Sequence, residues 1–146
     1  MEQIKADISQ GSLKGKSEYR DRIDLLRSRV NLLVGKDKVL MKMYLENGNS
    51  FRQMAKLAGV NEACIARRIH KVTQRLINGE YILCLRNRDK LSDDQMNIAR
   101  DYFLKGLALR KIAKRRGVSY HRIRQSIRAI QRLIERAEHV QQDRTH

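Results

Sequence analysis

Between Arg110 and Ile134 the chain places nine lysines and arginines and no acid: Arg110, Lys111, Lys114, Arg115, Arg116, Arg122, Arg124, Arg128 and Arg132. His121 and Gln125 stand among them. Guanidinium forks and ammonium groups at this density bind anions, while a primary amide such as Gln125 pairs a donor with an acceptor and can read a planar hydrogen-bonding edge. This is the chemistry of recognition, not of bond making. No Ser/His/Asp order, phosphate loop or zinc signature is present. Asp93-Asp94 resembles a catalytic carboxylate pair only superficially, since the start of a helix accounts for both acids through capping and the helix dipole. His70 and His121 have no spacing with Cys64 that would close a metal site. The residues describe a binder rather than an enzyme, with no cofactor and no metal.

The whole composition agrees. Lys and Arg number 32 against 16 Asp and Glu, a formal charge of +16 over 146 residues. Such a surface attracts polyanions: nucleic acid, an anionic membrane or an acidic protein. Hydrophobic residues make up 41% of the chain, enough for a core, but there is no Trp and no Pro. Cys64 and Cys84 lack CxxC spacing, and neither a secretory leader nor an apolar run of membrane-spanning length is visible, so no membrane association and a cytoplasmic, nucleoid-associated location are expected.

The elements that must position these side chains are legible from periodicity. Residues 1–17 have little pattern and two glycines and read as a flexible arm. Tyr19, Ile23, Leu26, Val30 and Leu33 then recur at helical spacing, which predicts an N-terminal helix over 18–35. That stripe packs on the rest of the chain or, alternatively, pairs with a second copy in a homodimer.

The remainder is an internal repeat with an offset of 58. Tyr44 matches Tyr102, Gly48 matches Gly106, Ala55 matches Ala113, Gly59 matches Gly117, and Ile65 and Ile69 match Ile123 and Ile127. Each copy reads as three helices, the first over 37–47 or 92–105 and the second over 51–58 or 109–116. Ser50 with Gln53, and Ser92 with Gln95, form potential capping boxes. The third helix follows a tight Gly-Val-Asn or Gly-Val-Ser turn in which Asn61 or Ser119 serves as cap. Ala55 and Ala113 permit close approach of the last two helices, with Val60 or Val118 filling the angle between them. The stretch 78–91 is ambiguous, its YILCL core being compatible with a short strand or with more helix.

A helix, a short turn containing Gly and a second helix is the helix-turn-helix plan. At 100° per residue the third helix sets Ile65, Ile69, Val72 and Leu76 on one face, or Ile123, Ile127, Ile130 and Ile134 in the second copy. The opposite face carries Ala63, Arg67, His70 and Gln74, or His121, Gln125, Arg128 and Arg132. Such a helix suits the major groove of double-stranded DNA. Glu62, Ala63 and Arg67, or Tyr120, His121 and Gln125, would reach base edges, and Lys71, Arg75, Arg128 and Arg132 would meet phosphates.

The run Gly117-Val118-Ser119-x-x-Arg122-Ile123-Arg124-Gln125, with Ala129 and Arg132-Leu133 beyond it and Ile112-Ala113-x-x-x-Gly117 before it, resembles the promoter-reading C-terminal region (region 4) of bacterial sigma factors. The resemblance covers about 92–136 well and 37–77 more loosely. It implies that Tyr120, His121 and Gln125 approach promoter bases, and that RNA polymerase is a candidate partner. The chain carries Tyr-His where sigma factors commonly carry Arg-Glu, and it has no counterpart of their aromatic-rich promoter-melting region.

The expectation is therefore an all-α protein with two tandem three-helix, helix-turn-helix units after an N-terminal helix. The boundaries are an arm at 1–17, a helix at 18–35, a first unit at 36–78, a linker at 79–91, a second unit at 92–138 and a tail at 139–146. The expected function is sequence-specific transcriptional regulation through two recognition helices that present Glu62, Ala63, Arg67, His70, Lys71 and Gln74, and Ser119, Tyr120, His121, Arg122, Gln125, Arg128 and Arg132. The alternatives are an adaptor for RNA polymerase or another protein, and a DNA-binding accessory of a recombination system.

Overall fold

The computed structural model describes residues 13–144, with side chains described from 15 to 140. Residues 1–12 of the expected arm, and the last two of the expected tail, lie outside the described residues. Among the described residues every regular element is helical. The chain divides into two compact units, Met1–Ile77 and Asn78–His146.

The first unit contains α1 (Leu13–Arg29), a 3-10 turn (Val30–Leu32), α2 (Gly35–Leu45), α3 (Phe51–Ala58) and α4 (Glu62–Asn78). α1 begins at Leu13, within the span expected to be an arm, and the expected continuous helix ends at Arg29 with a tighter turn. α1 is part of this unit rather than a separate element. Leu26, Val30 and Leu33 are each only 2% exposed, in a core with Met41, Leu45, Met54 and the α4 stripe Ile65, Ile69, Val72 and Leu76. Three of the five residues of the Tyr19–Leu33 stripe are thus buried inside the unit, and Tyr19 and Ile23 are half-buried. Arginines on α1 also close helix ends. Arg29 Nη1 donates to the carbonyls of Leu76 (2.6 Å) and Ile77 (3.2 Å), and Arg27 Nη2 to that of Leu45 (3.3 Å). These C-terminal carbonyls have no partner within their own helix, and a cation there also complements the helix dipole.

The second unit contains α5 (Glu80–Arg86), a 3-10 turn (Arg88–Lys90), α6 (Asp93–Ala99), a π turn (Arg100–Leu104), α7 (Leu109–Arg116) and α8 (Tyr120–Arg144). The ambiguous YILCL segment is helical and is no linker. Tyr81 and Cys84, three residues apart on one helical face, are both buried as α5 packs on α6 and α8. A strand would have sent these two side chains to opposite faces. The expected single helix over 92–105 is likewise interrupted: after Ala99 it widens, with Lys105 N–H donating to Arg100 at 2.9 Å, five residues back. Residues 139–144 continue α8 instead of forming a tail.

Both units repeat one order of elements. The offset of 58 carries α3 onto α7 and the start of α4 onto the start of α8. Both capping boxes form, with Gln53 N–H on Ser50 Oγ and Gln95 N–H on Ser92 Oγ, each at 3.1 Å. α3 and α7 end on Gly59 and Gly117 at φ +69° and +65°, a left-handed conformation that costs other residues energy. The next amide then bonds back five residues, Val60 to Ala55 and Val118 to Ala113, both at 3.1 Å, as in a Schellman ending. Contrary to expectation, Val60 is 47% exposed and Val118 only half-buried. The turn leaves Val60 to solvent, and the buried side chains at this corner are Ala55 and Ile65, or Ala113 and Ile123.

Candidate nucleic-acid interface

α4 and α8 each follow a three-residue turn and are capped locally. Asn61 Oδ1 accepts from the Cys64 amide at 2.8 Å, and Ser119 Oγ from the Arg122 amide at 3.1 Å. Each helix then buries one aliphatic stripe. Ile65, Ile69, Val72 and Leu76 are buried on α4, and Ile123, Ile127, Ile130 and Ile134 on α8. Each such side chain contributes about 1.5–3 kcal/mol through removal from water, which pins the rotation of the helix about its axis.

That rotation decides what faces outward. Glu62, Ala63, Arg67, His70, Lys71 and Gln74 are all exposed on α4. Ser119 at the turn, with Tyr120, His121, Arg122, Gln125, Arg128 and Arg132 on α8, is exposed as well. Ala63, Arg67, His70 and Gln74 lie opposite the stripe of α4, and His121, Gln125, Arg128 and Arg132 opposite that of α8, while Glu62, Lys71, Ser119, Tyr120 and Arg122 stand at the helix starts or flanks.

The two faces differ electrostatically. In the first unit Asp37, in the first turn of α2, accepts from Arg68 Nε at 2.9 Å and from Arg75 Nη2 at 3.3 Å. Arg75, expected to meet phosphate, is instead turned inward: burial pulls its pKa below the usual guanidinium value, partly opposed by Asp37, and its buried Nε has no hydrogen-bond partner. Arg67 folds back one turn, its Nη2 3.4 Å from Cys64 Sγ. In the second unit Arg122, Arg124, Arg128 and Arg132 form no ion pair among the described residues. Arg116 is withdrawn from this group by Asp101, at 2.8 Å. Tyr120 lies under the Arg110 guanidinium, 5.8 Å from ring centroid to Cζ, which steadies an aromatic at the head of α8.

Sequence reasoning missed Asp37, Asp101 and the Arg110–Tyr120 pair. No local spacing announces them, because Asp37 meets partners 31 and 38 residues away. It also missed a groove of about 630 Å³ on the flank of α8, lined by Arg86, Asn87, Lys90, Ala129, Arg132, Leu133, Arg136, Ala137 and Val140. Among the described residues no group of His, Cys, Asp and Glu could hold a metal, and no helix is long and apolar enough to cross a membrane. Comparison of the chain with protein-family models, with curated proteins and with solved structures gave no match.

Proposed function

We propose that this chain is a sequence-specific double-stranded DNA-binding transcriptional regulator, acting in the cytoplasm on the nucleoid, in which each unit is a helix-turn-helix. α4 and α8 are its recognition helices. The observation that carries this reading is the exposed side of α8: Arg122, Arg124, Arg128 and Arg132, free of ion pairs among the described residues, stand with His121 and Gln125 around a helix whose isoleucine stripe is buried. A solvated helix in an ordinary fold would interleave acids with such cations, whereas a phosphate-lined groove selects against them.

Roles divide along each helix. Gln125 is the adenine reader and Arg67 the guanine reader, each in the first two turns of its helix. Glu62, Ala63, Tyr120 and His121 border the same bases. Lys71, Arg122, Arg128 and Arg132 hold phosphates, with His70, Gln74 and Ser119 at the edges of the contact. α8 supplies most of the affinity, because Asp37 engages two cations of α4 while the face of α8 stays cationic. α4 adds discrimination, and two readers in one chain raise each other's effective concentration on adjacent half-sites. The resemblance to sigma-factor region 4 supports promoter DNA as the target and RNA polymerase as a neighbour.

Selection of bound duplexes from a random pool tests the reading, with affinity then followed against salt. A bipartite motif is expected. Steep salt dependence with no motif would make the protein a packaging factor, and no binding to duplex would end the proposal.

A further inference from the structure

α8 has a second face besides the one assigned to DNA. A groove of about 630 Å³ runs between its C-terminal half and α5 with the following 3-10 turn. Arg86, Lys90, Arg132 and Arg136 line it, and no acid does. The rest of the α8 lining is apolar: Leu133 and Val140 with two alanines, at successive spacings of four, four and three residues. That stripe is about 16 Å long, three turns of a helix.

We propose that this groove docks an acidic amphipathic helix of a partner protein. The partner's aliphatic side chains cover Leu133 and Val140, and its carboxylates meet the four cations. Charge complementarity commits the groove to an acidic occupant, and the apolar stripe commits it to a protein. A phosphate backbone would satisfy the arginines but leave Val140, 51% exposed, uncovered. A second copy of this chain is a poor occupant, because each copy brings a formal +16. The alanines leave gaps beside Leu133 into which a partner's side chains can seat, as knobs enter holes between packed helices. Arg132 belongs to both faces, so partner docking and DNA binding meet at one residue. The inference stands apart from the DNA reading, since the groove exists whatever α8 contacts.

The test uses the full chain and a fluorescein-labelled synthetic peptide of about four helical turns, with leucines on one face and glutamates flanking them. A scrambled peptide of the same composition is the control. The designed peptide should bind at least about tenfold tighter than the scrambled one, and Arg86→Glu with Arg136→Glu should remove about that factor. Val140→Glu should weaken the peptide similarly, and its exposed position keeps folding intact. Equal binding of the two peptides, or indifference to all three substitutions, would overturn the proposal. So would charge reversals at Arg86 and Arg136 that weaken duplex DNA as strongly as Arg128→Ala while sparing the peptide, because the groove would then hold phosphate.

Discussion

Arg116 places Nη2 2.8 Å and Nε 3.1 Å from the same carboxylate oxygen of Asp101. Asp101 is 5% exposed and sits in the π turn, while Arg116 is the last residue of α7. Lys105 approaches the other oxygen at 3.7 Å. The pair therefore staples the end of α7 to the preceding helical segment, immediately before the turn that launches α8. A charge-assisted hydrogen bond of this kind holds the turn in place, and the buried carboxylate would be costly without its partners.

Asp101→Asn should accordingly destabilise the second unit by about 2 kcal/mol, since it removes the charge while leaving a buried amide against two cations. Urea unfolding would register a lower midpoint. Arg128→Ala, on the exposed face, should stay within about 0.5 kcal/mol of the parent.

Ala113 is 6% exposed where α7 approaches α8. Ala113→Leu forces extra methylenes into that corner and should cost about 1–3 kcal/mol, seen as a lower thermal midpoint. Ala55→Leu should do the same in the first unit, where Ala55 is also 6% exposed. A neutral outcome at both would mean that the corners are not closely packed.

On the proposed reading, Gln125→Ala should lose about 1–3 kcal/mol on the preferred duplex and little on random DNA. Gln125 is exposed and not part of the core, so folding should be unaffected. Titration against both duplexes checks this, and equal losses would remove its base-reading role.

Arg128→Ala should behave oppositely. As a phosphate contact it weakens every duplex alike and reduces the slope of log affinity against log salt by about 1. A loss confined to one sequence would make Arg128 a base reader instead.

Thiol chemistry separates the two cysteines. Cys64 is exposed, whereas Cys84 is buried, and that burial, helped by Glu80, pushes its pKa from the usual 9.0 up to about 11. Iodoacetamide at about pH 8 should label Cys64 in the native protein and reach Cys84 only on unfolding. The unfolded chain releases the Cys84 proton first, so this group's contribution to stability is intact below pH 9.0 and lost as pH rises towards about 11. Denaturation midpoints across that window, compared with Cys84→Ala, measure the effect. A slope unchanged by Cys84→Ala would show that the thiol is not the group responsible.

Much of the architecture was legible because its determinants are local. Both capping boxes, the left-handed glycines and the buried stripes depend on residues three to five apart, so spacing alone announces them. The internal repeat made each reading twice. The segment 78–91 was not legible, because five apolar residues in a row suit a strand or a helix equally. Contact with α6 and α8 buries Tyr81 and Cys84 together and selects the helix.

The sequence by itself determined the helical class, the offset of 58, the positions of the tight turns and which face of α4 and α8 is aliphatic. Only the tertiary structure decided which cations remain free. Asp37 reaches across the first unit to Arg68 and Arg75, and Asp101 takes Arg116, while Arg122, Arg124, Arg128 and Arg132 of α8 form no ion pair among the described residues. The same holds for Arg29, which caps the last turn of α4 by donating to the Leu76 carbonyl, 47 residues later in the chain. A partner 15 to 47 residues away in sequence leaves no periodic trace, because such contacts depend on distance in space and not on spacing along the chain.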